Sequence, residues 1–362
     1  RVPGRRESFF RMSQAPITKP FGPQADLLST TQFDLPAVER LFALADGLRP
    51  LGRSEFTCDV LQGAVLSSLF FEPSTRTRLS FESAWARLGG TVLTTTGFTF
   101  SSMAKGESIH DTARVISGYS DVLVMRHPDK GSVAELADAS LVPVVNGGDG
   151  SGEHPTQALL DVYTLVRELG ARGKQVEGAT IAIMGDLRYG RTVHSLIDLL
   201  RLWKGVRFRL YSPASLELPR EFFDRDDAHR LLVCDSVEEA LRGADAVYAT
   251  RVQRERITDP QVAAAIEAAV LLDRTMVQDW GAPDVIIMHP LPRDSRPGSF
   301  DLMPDVDDLP GLAIFHQTDN GLFVRMAIFC TILGLDLQTV LAHSKVPAWS
   351  SGKPLARPGL TS

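Results

Sequence analysis

Between Phe70 and Arg78 the chain reads Phe-Phe-Glu-Pro-Ser-Thr-Arg-Thr-Arg. Ser74, Thr75, Arg76, Thr77 and Arg78 fall where an apolar, strand-like run (64–70) gives way to a helix-like one (79–88), and Ser74 stands in the N-cap position. Within the second run Leu79, Ala84, Trp85 and Leu88 fit one helical face, and Gly89-Gly90 supplies the stop. Arginines are out of place in a first helical turn, where the helix dipole is already positive. They are accounted for if an anion, most simply a phosphate, closes the site against the free backbone N–H groups. A plain capped helix with solvated arginines is the competing account.

Similar polar clusters recur along the chain. Phe100-Ser101-Ser102-Met103-Ala104-Lys105-Gly106-Glu107 follows a second strand-like run, Arg126-His127-Pro128 a third, and residues 147–157, ending His154-Pro155-Thr156-Gln157, a fourth. Later, Gly185-Asp186-Leu187-Arg188-Tyr189-Gly190-Arg191, Arg251-Val252-Gln253 and His289-Pro290-Leu291-Pro292-Arg293 each follow another such run. Any one of these is also what a solvated loop looks like. As a set they gather Arg76, Lys105, Arg126, Arg191 and Arg251 with the neutral hydrogen-bonders His154, Gln157 and Gln253, in a chain of net charge −6. An acidic protein that concentrates cations in one place is built for a small polyanion. No GxSxG is present and no cysteine lies in a cluster, so no strong nucleophile is offered. His127, His154, His194 and His289 lack metal-ligand spacing, so neither a metal nor a cofactor is expected. Catalysis would then rest on positioning and electrostatic stabilisation.

The elements that must position these residues alternate. Strand-like runs at 64–70, 91–95, 121–125 and 141–145 are separated by helical patterns such as 109–119 and 132–137. A long amphipathic stretch, 154–170, leads to a boundary at 171–174. A second set of strands follows at 180–184, 207–211, 231–234, 246–249, 285–288 and 312–315, with helices near 192–202, 237–242 and 260–269 and a final one at 320–334. This rhythm predicts an α/β fold of two doubly wound parallel-sheet domains. Ligands of such sheets bind beyond the carboxyl ends of the strands, where every cluster falls, so the active site is expected in an interdomain cleft.

Composition sets outer bounds. At 362 residues, 44% hydrophobic and 23% charged, the chain is long enough for two domains of about 150 residues. Its acidity, with a pI near 5.8, argues against a nucleic-acid surface. No run approaches the ~18 apolar residues of a membrane span. Cys58, Cys234 and Cys330 are scattered, which suits a reducing, cytoplasmic compartment. The arginine-rich start carries a faint transit-peptide character, but the preferred expectation is that Met12 is the native start and the residues before it are foreign. Residues 1–20 and the Pro/Gly/Ser-rich 346–362 are expected to be flexible ends, and 294–309 an acidic surface linker.

Taken in order, Ser-Thr-Arg-Thr-Arg, Lys-Gly-Glu after a serine loop, Met-Arg-His-Pro, His-Pro-Thr-Gln, Gly-Asp-Leu-Arg-Tyr-Gly-Arg-Thr-Val-His-Ser, Thr-Arg-Val-Gln-Arg-Glu-Arg and His-Pro-Leu-Pro-Arg resemble the catalytic chains of the aspartate carbamoyltransferase family. The resemblance runs from about residue 33 to 335. It implies transfer of a carbamoyl group from carbamoyl phosphate to L-aspartate, giving N-carbamoyl-L-aspartate and phosphate, in pyrimidine synthesis. It places Ser74, Thr75, Arg76, Thr77 and Arg126 on the phosphate. Arg76, Thr77, Arg126 and His154 would polarise the carbamoyl carbonyl, while Gln157 and the backbone carbonyls of Pro290 and Leu291 would receive its NH₂ group. Arg191, Arg251 and Gln253, with Lys105 and Leu291, would hold aspartate, and guanidinium groups suit carboxylates on chemical grounds as well. Asp186 and Glu255 would support these arginines.

The same resemblance implies a homotrimer in which Ser101 and Lys105 complete the neighbouring subunit's site. Regulatory or dihydroorotase chains are further partners found in the family, and nothing in this sequence marks them. Residues 21–168 would bind carbamoyl phosphate, completed by a C-terminal helix at 320–345, and 169–319 would bind aspartate, with the domains closing on the substrates. One departure is Met103-Ala104 before Lys105, a single lysine where some relatives carry two.

Three rivals remain at this point. An ornithine carbamoyltransferase typically has His-Pro-Cys-Gln and His-Cys-Leu-Pro, whereas Thr156 and Pro290 stand here, and a cationic acceptor would be opposed by Arg191 and Arg251. A dinucleotide-binding oxidoreductase is suggested by Gly185-Asp186 after a strand, without GxGxxG. A non-catalytic scaffold would be favoured by substitution at Arg76, His154 or Lys105, and all three are intact.

Overall fold

The computed structural model describes residues 19–97, 105–225, 230–252, 270–294, 296 and 300–349. After a short β1 (Thr57–Cys58), the strands β2 (Val65–Phe70), β3 (Thr91–Thr96), β4 (Val122–His127) and β5 (Val144–Asp149) form one sheet in the order β3-β2-β4-β5. A second sheet holds β6 (Thr180–Met184), β7 (Arg207–Tyr211), β8 (Leu231–Val233), β9 (Ala246–Ala249) and β10 (Ile286–Met288) in the order β10-β9-β6-β7-β8. All pairings in both are parallel. In each sheet the first strand in sequence lies inside and the order reverses beside it, between β2 and β4 and between β6 and β9. Chains leaving the two strands at such a point diverge and open a crevice at their carboxyl ends. The fold is therefore two doubly wound α/β units with one crevice each.

The helices α1 (Leu35–Gly52), α2 (Thr75–Arg87), α3 (Ile109–Ser117), α4 (Ser132–Ala139), α5 (Pro155–Ala171) and α6 (Arg191–Leu200) flank these strands. The α5 helix is buried on nearly all sides, from Pro155 through Leu165 without a break. A helix so enclosed belongs to the interior, and α5 packs against α6 and against the long helix Ile314–Ile332, which also packs on α1 and α2. One apolar cluster consequently runs through both units, from Phe81, Trp85 and Phe329 to Ile181 and Phe208. Near the end of α5, Glu168 pairs with Arg172 at 2.7 Å and with His316 at 3.0 Å. Lys174 then spans Asp245 and Asp284 at the edge of the second sheet.

Several expected elements differ. Leu79 is half exposed, and the buried stripe of α2 and its C-cap is Phe81, Ala84, Trp85 and Leu88, an i, i+3, i+4, i+7 set that excludes it. The strand expected at 141–145 lies at Val144–Asp149 and ends on Asn146-Gly147-Gly148-Asp149, residues depleted in strands. The expected strand 312–315 is a single bridge, Leu312 to Ile287, after which the helix Ile314–Ile332 begins. A four-residue apolar run cannot by itself separate strand from buried helix. That helix does not reach 345: Gly334, at φ 69°, stops it, and a separate helix Leu337–Ala342 and β11 (Ser344–Lys345), antiparallel to β1, follow. The eighteen residues of α1 match no expected element; Pro36 and Pro50 obscure it, although Asp34 caps it through the Ala37 N–H. The helix expected at 260–269 lies outside the described residues.

Candidate active site

The crevices of the two sheets face one another across a cleft of about 560 Å³. Residues 72–77, Ser80, Arg126, Gly150, His154 and Gln157 line it from the first sheet's side. Gly190, Arg191, Thr192, Thr250, Arg251 and 289–292 line the other, and Gln317, Thr318 and Arg325 close it from the long helix. Six of the seven sequence clusters meet here. The exception is the serine loop: Lys105 is exposed and does not line the cleft of its own chain, and Ser101 lies outside the described residues, as do Gln253 and Glu255.

The helix terminus is open to an anion. Ser74 is the N-cap of α2 but makes no side-chain capping bond, and the first turn, Thr75-Arg76-Thr77, contains no acid. By contrast Ser108 caps α3 by accepting the Asp111 N–H. The amide groups at the start of α2 thus keep donors available for an anion.

Arg126 is the next-to-last residue of β4, so the strand itself delivers it to the cleft. Its guanidinium reaches Glu72 at 2.8 Å and the Gly147 carbonyl at 3.2 Å, and its Nε has no hydrogen-bond partner. Burial, followed by the nearby Arg191, lowers its pKa to about 10, so it remains cationic at neutral pH. Arg191, at the start of α6, donates to the same Glu72 oxygen at 2.9 Å and to the Gly150 carbonyl. Glu72 therefore bridges two arginines that stand on opposite walls. It stands in the first motif, but pairing across a cleft leaves no local spacing from which its role can be read. Gly148, at φ 125°, makes the convergence possible: a Cβ there would sit 2.8 Å from Arg126 Nη1 and 3.4 Å from Arg191 Cζ.

His154 is buried at the N-cap of α5, with its backbone N–H donating to Ser195 Oγ and no hydrogen-bond partner at Nδ1. Burial, then the positive fields of Arg126, Arg191 and Arg325, hold its pKa well below the ordinary histidine value. It is a neutral imidazole with an unused nitrogen, able to hydrogen-bond an oxygen without carrying charge. Arg325, also unassigned in the sequence, is fully enclosed, donates to Ser80 Oγ at 2.7 Å and lies over the Phe81 ring.

The turn after β10 is held tightly. Leu291 has φ 56°, a left-handed conformation that costs a non-glycine residue roughly 1–2 kcal/mol. It is retained because His289 Nδ1 accepts the Leu291 N–H at 2.8 Å, while His289 Nε2 meets Asp301 at 3.2 Å. Asp186 accepts the Tyr189 N–H at 2.9 Å and so shapes the turn that leads to Arg191.

Comparison with known proteins places this geometry in a class. The family model for "Aspartate/ornithine carbamoyltransferase, carbamoyl-P binding domain" matches residues 25–167, and that for the "Asp/Orn binding domain" matches residues 177–332. The chain belongs to the aspartate/ornithine carbamoyltransferase family. Within it, the chain is 51% identical over 311 residues to an aspartate carbamoyltransferase catalytic subunit of Dichelobacter nodosus, covering 85% of this chain and 89% of that one. Among solved structures it resembles the catalytic subunit of M. jannaschii aspartate transcarbamoylase, with a TM-score of 0.77, 40% identity and coverage of 85% and 98%. It likewise resembles the Trypanosoma cruzi aspartate transcarbamoylase solved with carbamoyl phosphate and aspartate, with a TM-score of 0.77, 36% identity and coverage of 86% and 96%.

Proposed function

We propose that this chain transfers the carbamoyl group of carbamoyl phosphate to the amine of L-aspartate, forming N-carbamoyl-L-aspartate and phosphate, in pyrimidine biosynthesis. The observation that carries the reading is the cleft: an uncapped, acid-free helix start on one wall and Arg191 with Arg251 on the other. That arrangement suits a phosphate beside a dicarboxylate and opposes a cationic acceptor such as ornithine.

In this reading residues 21–168 bind carbamoyl phosphate and 169–319 bind aspartate. The phosphate sits on the start of α2, held by Ser74, Thr75, Arg76 and Thr77 and by Arg126. Arg76, Thr77, Arg126 and neutral His154 donate to the carbamoyl oxygen, where negative charge builds as the amine attacks the carbonyl carbon. Gln157 and the carbonyls of Pro290 and Leu291 accept from the carbamoyl NH₂. Arg191, Arg251, Gln253 and Leu291 position aspartate. A carbon–nitrogen bond forms, the carbon–oxygen bond to phosphate breaks, and the departing phosphate takes the amine proton, so no side-chain base is required.

Lys105, exposed in its own chain, reaches a neighbouring subunit's cleft together with Ser101, which makes the working unit a homotrimer. A cytoplasmic setting is supported by the free thiols of Cys58, Cys234 and Cys330. Among the described residues no helix is long and apolar enough to cross a membrane.

The decisive experiment is ureido-product formation by the purified chain given carbamoyl phosphate with L-aspartate or L-ornithine, beside a Lys105→Ala control. Turnover with aspartate alone, largely lost in the control, is the expected result. Turnover with ornithine would overturn the acceptor assignment and keep the phosphate site; no turnover with either would move the chain to a non-catalytic role.

A further inference from the structure

Beneath the cleft, Asp161 occupies a fully enclosed position on α5. Its Oδ1 accepts from Gln157 Nε2 at 2.8 Å and from Gln317 Nε2 at 2.6 Å, and its Oδ2 accepts from the Tyr248 hydroxyl at 2.7 Å. The three donors come from α5, the long helix Ile314–Ile332 and β9, so both sheet units and the element that joins them converge on one carboxylate.

An ionised carboxylate only accepts hydrogen bonds. Both glutamine amides must therefore turn their NH₂ groups down toward Asp161. The carboxamide oxygen of Gln157 is then the end left for the cleft that Gln157 lines. Gln317 is fixed in the same way, and its own oxygen accepts the His289 N–H at 3.0 Å; His289 in turn accepts the Leu291 N–H. One carboxylate thus orients the Gln157 oxygen directly and the Pro290–Leu291 turn through two further bonds. These are the acceptors assigned above to the carbamoyl NH₂.

We propose that Asp161 is the positioning residue that makes the floor of the cleft an acceptor surface, and so selects a substrate that presents an NH₂ group there. The inference rests on the assigned role of Gln157. Burial raises the Asp161 pKa to about 7, with the bonds from Tyr248, Gln317 and Gln157 opposing the rise, so the ionised carboxylate predominates at pH 8.

The test compares two probes on the full-length chain at pH 8 by calorimetry: phosphonoacetamide, a stable molecule with phosphonate and terminal NH₂, and inorganic phosphate, which has no NH₂. Asp161→Leu, which keeps the branched outline but replaces both acceptor oxygens with bulkier methyl groups, is expected to weaken phosphonoacetamide about tenfold, the loss of one good hydrogen bond, and to leave phosphate within about twofold. Gln157→Ala should give the same pattern, and the double variant should bind no worse than the weaker single. Asp161→Asn, whose remaining oxygen can serve both glutamines while its NH₂ faces Tyr248, should recover affinity to within about threefold of the unsubstituted chain.

Equal losses for both probes in Asp161→Leu would show mere disruption and overturn the proposal. So would an unchanged Asp161→Leu beside a weakened Gln157→Ala. If Gln157→Ala itself spares phosphonoacetamide, the role of Gln157 fails first. Should Asp161→Leu not fold, side-chain amide NMR of the unsubstituted chain answers the same question. The Gln157 NH₂ signals, identified by their loss in Gln157→Ala, are expected to exchange slowly and hold their shifts when phosphonoacetamide is added. Fast exchange or large shifts would mean that the NH₂ faces the ligand, contrary to the proposal.

Discussion

With burial and three arginines acting in one direction, His154 is a neutral imidazole at pH 7, so in the proposed reaction it serves as a neutral N–H hydrogen-bond donor. Imidazole ¹⁵N shifts should accordingly report a neutral ring at pH 6.5, where an ordinary histidine is half protonated, and a half-protonated ring at that pH would remove the basis for this role. His154→Ala should lower kcat about 10²- to 10³-fold, the usual cost of removing one such donor, with phosphate affinity nearly unchanged. Asp161 is displaced the opposite way, to about 7. Between the ordinary carboxylate pKa and 7 the folded chain binds the extra proton, so the stability contributed by this group falls as pH rises through that window. Relative to the unsubstituted chain, Asp161→Asn should therefore gain roughly 2–3 kcal/mol on going from pH 5 to pH 8 in urea titrations. The types and order of the cleft residues were legible in the sequence because each cluster falls at or just beyond the carboxyl end of a strand. Glu72, Asp161, Gln317 and Arg325 were not, since each acts through partners far away in the chain.

At the scale of elements, α2 and α3 offer a matched comparison. Ser108→Ala removes a cap that accepts a backbone N–H and should destabilise the chain by about 1 kcal/mol, with no effect on phosphate binding. Ser74→Ala removes no such bond and should leave the unfolding midpoint within error while weakening phosphate measurably. If Ser74→Ala instead costs as much stability as Ser108→Ala, the start of α2 is an ordinary capped helix. The end of β5 is equally informative. Gly148→Ala places a methyl 2.8 Å from Arg126 Nη1 at a φ of 125°, and a loss of phosphate affinity of about tenfold or more is expected in calorimetry. Strands with β-branched residues and period could be read from the chain directly. The end of β5 could not, because its Asn-Gly-Gly run is chosen for the arginines beside it, and neither could α1, whose prolines mask a helix stabilised by the packing of its buried face.

For the whole molecule, the shared core along α5 and the Lys174 ion pairs just beyond it join the two units on one side, and the proposed closure would narrow the cleft opposite them. Small-angle scattering should show compaction when N-(phosphonacetyl)-L-aspartate spans the cleft, and an unchanged profile would count against closure. The proposed trimer makes a second demand: chains carrying Lys105→Ala and chains carrying His154→Ala, each nearly inactive, should regain part of the activity when dissociated and mixed, because some mixed clefts would be intact. Failure of complementation, with trimers formed, would place Lys105 in its own chain's site.

The bridge from Glu72 to Arg126 and Arg191 has a bearing on how this cleft responds to its medium. Two guanidinium groups in a pocket ordinarily collect chloride or sulfate, and binding a phosphate then means releasing them into solution. Here part of that counter-ion is covalently attached, so substrate entry is an exchange within the protein. Its equilibrium is tied less to ionic strength than the number of arginines suggests. Phosphate affinity plotted against salt should fall more gently for the natural chain than for Glu72→Gln, in which soluble anions must do the same work.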